Sequence, residues 1–440
     1  MKTTLRILLA VFLISTAASA TKIPIPIEGA TLNVSFQLQT QMLMNENGTP
    51  DGQNLSYDVF IRRSRLLVNG DLSQNFSYLI QLDNPNFGKN GNFTGRGYIQ
   101  DAWFGWAPTG ISGGTVFYVD AGLLLIPISH HLLESTTNFT TADVHTDSFR
   151  GISGATFPGL RDTGVQVRGW ALDKKVGFRG GVYEGVRGTP GTFSSKDVYT
   201  NNPATNAVTL VPANPNAGLN PRSNPQFAGF VNFDLIGSEE GGWLYGANKW
   251  GKDMILSVGL SGLYQAQALR GPVGITDQKL ASADVYLNMP MGGEGESELT
   301  VEATGYLNGN GTDSANTGIG GFIDVGYRHG MIEPYVSFDY FSATSCDTSI
   351  DPVATGIKCG IGVAGTAGNA DSRNFRVGLN YFVNKNFNHV NLEFSLNRGQ
   401  STYGTQSVAP AVPVAAGDLP LNSLARPPSK SLLLHWNMIF

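Results

Sequence analysis

The chain has 440 residues, with 29 Lys and Arg against 34 Asp and Glu, only 14% charged residues and a mean hydropathy of -0.07. Its acidic balance excludes a nucleic-acid binder that works by neutralising phosphates, so no nucleic-acid partner is expected. A soluble chain of this length would split into two or three domains. Here 55 Gly and 45 aromatics (24 Phe, 15 Tyr, 6 Trp) are spread through turn-rich stretches without a boundary.

Lys2 and Arg6 form a positive n-region, Ile7 to Ile14 an apolar h-region, and Ala18-Ser19-Ala20 an A-x-A cleavage site. This predicts a secretory signal peptide over residues 1–20 and a single domain over 21–440. Losing Lys2 and Arg6 leaves 27 basic against 34 acidic residues, a formal charge of -7. No other stretch approaches the roughly 20 apolar residues that a spanning helix needs, so any membrane insertion must use strands.

Alternation of apolar and polar residues begins at Thr31 to Met44, with Leu32, Val34, Phe36 and Leu38 on one face and Asn33, Ser35, Gln37 and Gln39 on the other. In Ser56 to Gly70, Leu66 and Val68 mark the apolar face and send Arg63 and Arg65 inward. Phe76, Tyr78, Ile80 and Leu82 then face out, with Gln81 and Asp83 inside. Over Tyr98 to Trp106, Ala102, Phe104 and Trp106 face out and Asp101 in. Thr115 to Ile126 puts Phe117, Val119, Leu123 and Leu125 out and Asp120 in. A long irregular segment from Pro127 to Leu160 interrupts the rhythm and carries His130, His131, Glu134, Asp143, His145 and Arg150. Loops this long without evident structure are usually functional or disordered.

Strands at Asp162 to Leu172 and Val176 to Val186 present Arg168 and Arg179 inward. Further strands are expected near 226–235, 253–267, 278–289, 297–308, 317–328, 332–343, 372–383 and 389–398. Cys346 and Cys359, in a chain read as exported, most simply form a disulfide; closing that loop would contribute roughly 3 kcal/mol in the chain-entropy model. In Ser431 to Phe440, Leu432, Leu434, Trp436, Met438 and Phe440 share one face. A nearly apolar face ending at an aromatic suits the closing strand of a barrel whose outside meets lipid. About sixteen strands, short turns alternating with long loops, predict an all-β, transmembrane antiparallel β-barrel wide enough for an aqueous channel.

The expected inner face carries basic Arg63, Arg65, Arg168, Arg179, Arg328 and Arg376. Its acids are Asp83, Asp101, Asp120, Asp234, Asp284, Glu298, Glu302, Asp324, Asp339 and Glu393. Arginines concentrate in the first half and acids in the second, which would set a transverse field across a pore. Alternatively, cross-strand neighbours merely pair with one another.

The run IRRSRLLVNGDLSQNFSYLIQLD (Ile61 to Asp83), followed by YIQDAWFGW and VDAGLLLIPISHHLLESTTN, resembles the phosphate-selective porin O and P family, with Asp101, Gly122, Pro127 and Glu134 at matching motif positions. The likeness covers roughly the first 140 residues. It implies a bacterial outer-membrane porin in the lipid of that membrane, a homotrimer, whose loop 127–160 folds into the lumen as a constriction bearing His130, His131, Glu134, His145 and Arg150. It also implies passive diffusion of small hydrophilic solutes and ion transport, with selectivity for anions such as phosphate. Trp436 and Phe440 resemble the terminal signal that barrel assembly machinery reads. The chain departs from the family in lacking a lysine before Pro127 and in its net acidity.

Two other functions compete: a barrel sheathing a partner such as an electron-transfer cytochrome, and an outer-membrane hydrolase. The G-x-S-x-G run around Ser112 falls in an expected turn between strands, not the strand-to-helix elbow that a nucleophile needs, so no enzyme is expected. His130, His131 and Glu134 match no known ligand spacing; neither metal nor cofactor is expected.

Overall fold

The structure is a computed structural model that describes residues 21–23, 29–46, 48–49, 54–95, 97–108, 117–145, 148–149, 160–186, 198–202, 207–211, 223–239, 244, 250, 253–271, 274–293, 295–309, 317–343, 372–399 and 429–439. The expected signal peptide, Ser112, Arg150, Cys346, Cys359 and Phe440 lie outside the described residues.

A three-residue strand, β1 (Thr21–Ile23), pairs with the start of β2 (Leu32–Asn45). Six more wall strands follow: β3 (Ser56–Asp71), β4 (Phe76–Asp83), β5 (Tyr98–Trp106), β6 (Phe117–Leu125), β7 (Arg161–Ala171) and β8 (Val176–Tyr183). A separate hairpin of β9 (Val198–Asn202) and β10 (Ala207–Val211) forms its own two-stranded sheet. The wall resumes with β11 (Gln226–Ile236), β12 (Ile255–Gly271), β13 (Gly274–Met291), β14 (Ser297–Gly309) and β15 (Gly318–His329). It ends with β16 (Ile332–Ala343), β17 (Ser372–Asn384), β18 (Asn388–Gly399) and β19 (Ser429–Ile439).

Each wall strand pairs antiparallel with its neighbours; β8 pairs with β11 and β19 with β2, closing a 16-strand barrel. No described helix is long and apolar enough to cross a membrane. Closure of the wall pairs main-chain donors and acceptors strand to strand, which is what permits a chain to stand in hydrocarbon.

The outer face is apolar: Phe36, Ile80, Phe104, Val336, Phe375 and Leu392 are all exposed. The residues between them are polar and buried on the inside. In β18, Leu392, Phe394 and Leu396 are exposed while Asn391, Glu393, Ser395 and Asn397 are buried; in β19, Leu432 and Leu434 alternate with Leu433, His435 and Asn437. One end carries tight turns (172–175, 330–331, 385–387), the other long connections between β6 and β7, β16 and β17, and β18 and β19.

The alternation fails in β6. Leu123 and Leu125, expected outside, are 7% and 2% exposed. Gly122 sits at φ 135 in the middle of this strand, a conformation closed to L side chains, and a Cβ there would overlap the Ala102 carbonyl. Beyond it the chain turns inward, and Leu125 packs with Leu133 and Phe230 inside the barrel. The pair β9–β10 and the short β1 were not expected from the sequence either, because they lack the length and periodicity of the wall strands.

Candidate functional site: the lumen and the loop folded into it

After β6 the chain enters the barrel. Residues 126–134 are all buried, and a single helical turn, His130–Leu133, forms with Ser129 as its N-cap, the Ser129 hydroxyl accepting from the Leu132 amide. The aliphatic side chains are the anchor. Ile126, Ile128 and Leu132, with Phe149, join Leu79 and Trp103 of β4 and β5 to Tyr183, Ala228, Leu263, Leu280, Tyr306 and Phe322 of the wall from β8 to β15 in one apolar cluster. Burying each aliphatic chain contributes roughly 1.5–3 kcal/mol. These wall residues face inward, where the sequence suggested a polar lining; the loop supplies their apolar partners.

The loop then crosses to the opposite strands. The Ile128 carbonyl accepts from Ser261 and Ser282, and Ser129 bonds Tyr306 at 2.9 Å. Thr136 meets Gln37 of β2 and Arg65 of β3, at 3.2 and 3.1 Å. The Thr140 carbonyl accepts from Asn380 at 2.9 Å, and Glu393 accepts from the Ala142 amide at 3.2 Å. At Gly320 the Ser148 backbone lies directly against β15, since a Cβ there would overlap the Ser148 carbonyl oxygen.

On the arginine-bearing wall, Arg62, Arg63, Arg65, Arg161 and Arg168 each meet a carboxylate. Arg65 donates to Asp83 at 3.0 Å, Arg168 to Asp120 at 2.7 Å, and Arg161 reaches Asp101 with two nitrogens at 3.2 and 3.3 Å. Arg168 also stacks over Tyr118, 4.1 Å from the ring centre. Arg179 lies across from Arg168 in the β7–β8 ladder. Arg62 and Arg63 both donate to loop residue Asp143, at 2.5 and 2.6 Å. The register between β2 and β3 shifts at this point, so that two consecutive arginines turn toward one partner. Burial opposes the Asp143 charge, but the two guanidiniums hold its carboxyl well below the ordinary value of 3.8.

On the acid-bearing wall the loop offers imidazoles. His145 lies 2.8 Å from Asp324 of β15 and 3.0 Å from Asp339 of β16. Burial and the adjacent Arg376 disfavour a charge on His145, yet Asp324 and Asp339 outweigh them and raise it to about 9. His131 contacts Glu302 at 3.0 Å, and His130 contacts both Glu302 and Glu239. Asp284 accepts from the His130 amide at 3.4 Å. Arg376 bridges Asp339 at 2.6 Å and approaches Glu393 at 3.6 Å, while Arg328 bridges Glu298 at 3.1 Å. At the barrel seam the Trp436 indole donates to Asn388 at 2.9 Å.

All sixteen charged residues expected on the inner face are buried there. Arginines line β3, β7 and β8 and acids β13 to β16 and β18, but Asp83, Asp101 and Asp120 interleave with the former and Arg328 and Arg376 with the latter, so that opposite charges meet across neighbouring strands. Several participants escaped the sequence, Arg161 at the very start of β7 among them. Arg62 was missed because a bulge breaks strict alternation. Trp103 was missed because an apolar inward residue contradicts a polar lining. Glu239 lies in the long connection between β11 and β12, yet reaches His130 at 2.8 Å; no local pattern signals that contact.

No protein-family model and no curated protein matches the chain. Solved structures do. OprB of Pseudomonas putida is 9% identical over 93% of this chain and 94% of its own, with a TM-score of 0.55. OmpF of Salmonella typhi, in complex with daunomycin, is 10% identical over 96% and 100%, with a TM-score of 0.52. Both are bacterial outer-membrane porins. At these identities the likeness is one of fold. The closed 16-strand antiparallel barrel is therefore the porin fold.

Proposed function

We propose that the chain is an outer-membrane porin, exported by its N-terminal signal peptide, assembled as a homotrimer, and passing small hydrophilic solutes down their gradients. The observation that carries this reading is a closed barrel with an apolar belt outside, polar residues inside, and a loop from the β6–β7 connection seated within it. A loop packed this tightly implies a narrow path and small unit conductance.

The path we favour runs along β3 to β8. Arg65, Arg168 and Arg179 keep 5–7% exposure there, whereas Glu298, Asp324, Asp339 and Arg376 opposite keep 0–1% and are tied to one another, to Arg328 or to the loop. Solutes would meet arginine more than carboxylate, which supports anion preference, phosphate included. Single-channel recordings in planar bilayers test both parts. Absence of any conductance step disposes of the channel; reversal potentials showing cation preference dispose only of the anion selectivity.

A sheath around a partner protein is disfavoured because the lumen already holds the loop and its apolar cluster. Recognition of Trp436 and Phe440 by assembly machinery belongs to the same proposal and is tested by removing the last strand.

A further inference from the structure

Carboxylates gather around one imidazole where the loop meets the wall. His130 Nδ1 lies 3.3 Å from Glu302 Oε1 and 3.7 Å from Glu134 Oε1, and one donor atom from each residue lies within 4.8 Å of the others. All three side chains are buried. Four ligands placed tetrahedrally around zinc at about 2.0–2.1 Å stand about 3.3–3.4 Å apart. Much of this spacing is already present. Glu134 is the extended C-cap of the helical turn that His130 opens, four residues on, and still approaches its Nδ1.

The groups behind these residues complete the pattern. Both oxygens of Glu239 lie 2.8 Å from His130 Nε2. A carboxylate there fixes a proton on Nε2 and frees the Nδ1 lone pair, the arrangement found behind metal-bound histidines. His131 Nε2 accepts from the His145 amide at 3.3 Å, so its Nδ1–H donates to Glu302 Oε2 at 3.0 Å. Glu302 Oε1 is thereby left toward His130 and Glu134.

An independent observation comes from Tyr286. Its ring stacks on His130 with centroids 4.6 Å apart. Tyr286 is 1% exposed, yet its hydroxyl has no hydrogen-bond partner among the described residues. Buried hydroxyls are nearly always bonded; a water on a cation among the three donors would supply the partner.

We infer that His130 Nδ1, Glu134 and Glu302 bind a divalent transition-metal ion of the zinc class, with Glu239 and His131 as positioning residues. Two positive charges offset glutamates whose burial together would otherwise be costly. An imidazole with few oxygens suits zinc better than calcium, which takes six to eight oxygen ligands, or magnesium, which keeps its waters. The ligands His130 and Glu302 are 172 residues apart, which is why spacing in the sequence concealed the site. The inference goes beyond the channel reading and does not depend on it.

The test refolds the full mature chain into detergent micelles with zinc(II) or with chelator, dialyses it, and measures bound metal by mass spectrometry. About one zinc per chain is expected, with only nitrogen and oxygen neighbours in its X-ray absorption spectrum. Glu134→Gln should abolish binding, and Glu239→Gln should weaken it by about 10–100-fold. Zinc far below one per chain overturns the inference. So does a sulfur neighbour, which would assign the metal to Cys346 and Cys359. Wild-type binding by folded Glu134→Gln overturns it too. If that variant does not fold, wild-type stoichiometry and spectrum decide alone. Conductance measured in parallel reports separately on the channel.

Discussion

His145 Nε2 lies 2.8 Å from the Asp324 carboxylate, joining the loop inside the barrel to a wall strand 179 residues further along the chain. Asp339 and Arg376 complete the surroundings of the imidazole from β16 and β17, and His131 stands beside it within the loop. With His145 raised to about 9 from an ordinary 6.5, its charge stabilises the docked loop fully below 6.5 and loses that effect as pH rises through about 9. Asp143 works in the other direction: its contribution is present above 3.8 and is lost as pH falls well below it. Unit conductance should therefore stay constant near neutrality and rise through pH 9. Replacement of His145 by Gln should remove the alkaline rise; its persistence would place the titrating group elsewhere.

Gly320 allows the Ser148 backbone to lie against β15. Gly320→Val should lift this part of the loop, cost about 1–3 kcal/mol by overpacking, and raise single-channel current. An unchanged current in a correctly folded variant would show that the loop does not limit the path.

Arg168 and Asp120 are both buried, 2.7 Å apart. Arg168→Ala leaves a carboxylate without its main compensating charge and should destabilise the barrel by about 3–5 kcal/mol. Adding Asp120→Ala should restore part of that loss, as read from urea unfolding in lipid vesicles. Additive losses would mean that the two do not act as a pair.

Val377 is exposed on the outer face of β17. Val377→Arg would place a charge in hydrocarbon and should cost about 2–4 kcal/mol near the membrane midplane. Nearly neutral folding in bilayers, against a clear loss for Arg168→Ala, would mean that this face does not meet lipid.

The wall was legible because one physical rule governs it: side chains alternate between two solvents. Strands β14 (Ser297–Gly309) and β18 (Asn388–Gly399) lie within a residue or two of their expected bounds for this reason. Arg63, Arg65, Asp101 and Glu393 were placed inside by the same rule. Alternation is silent about what fills the interior. It could not reveal that Ile128 and Leu132 would seek out Leu280 and Phe322, or that Glu239 and Glu302 would converge on His130. Those contacts join the periodic wall to loop segments whose local sequences carry no periodic signal. Leu125 failed in the other direction, since its apolarity serves the loop rather than the lipid.

The seam between β19 and β2 pairs the last wall strand with the first, Ile439 opposite Gln37 and Ser431 opposite Asn45. Synthesis from the N-terminus delivers those partners at opposite times. The edge of β2 beyond the three residues that β1 covers must wait unpaired until the final eleven-residue strand has arrived. Truncation near the C-terminus would therefore leave two raw edges in place of a slightly shortened product, and maturation of the cylinder becomes a single late commitment.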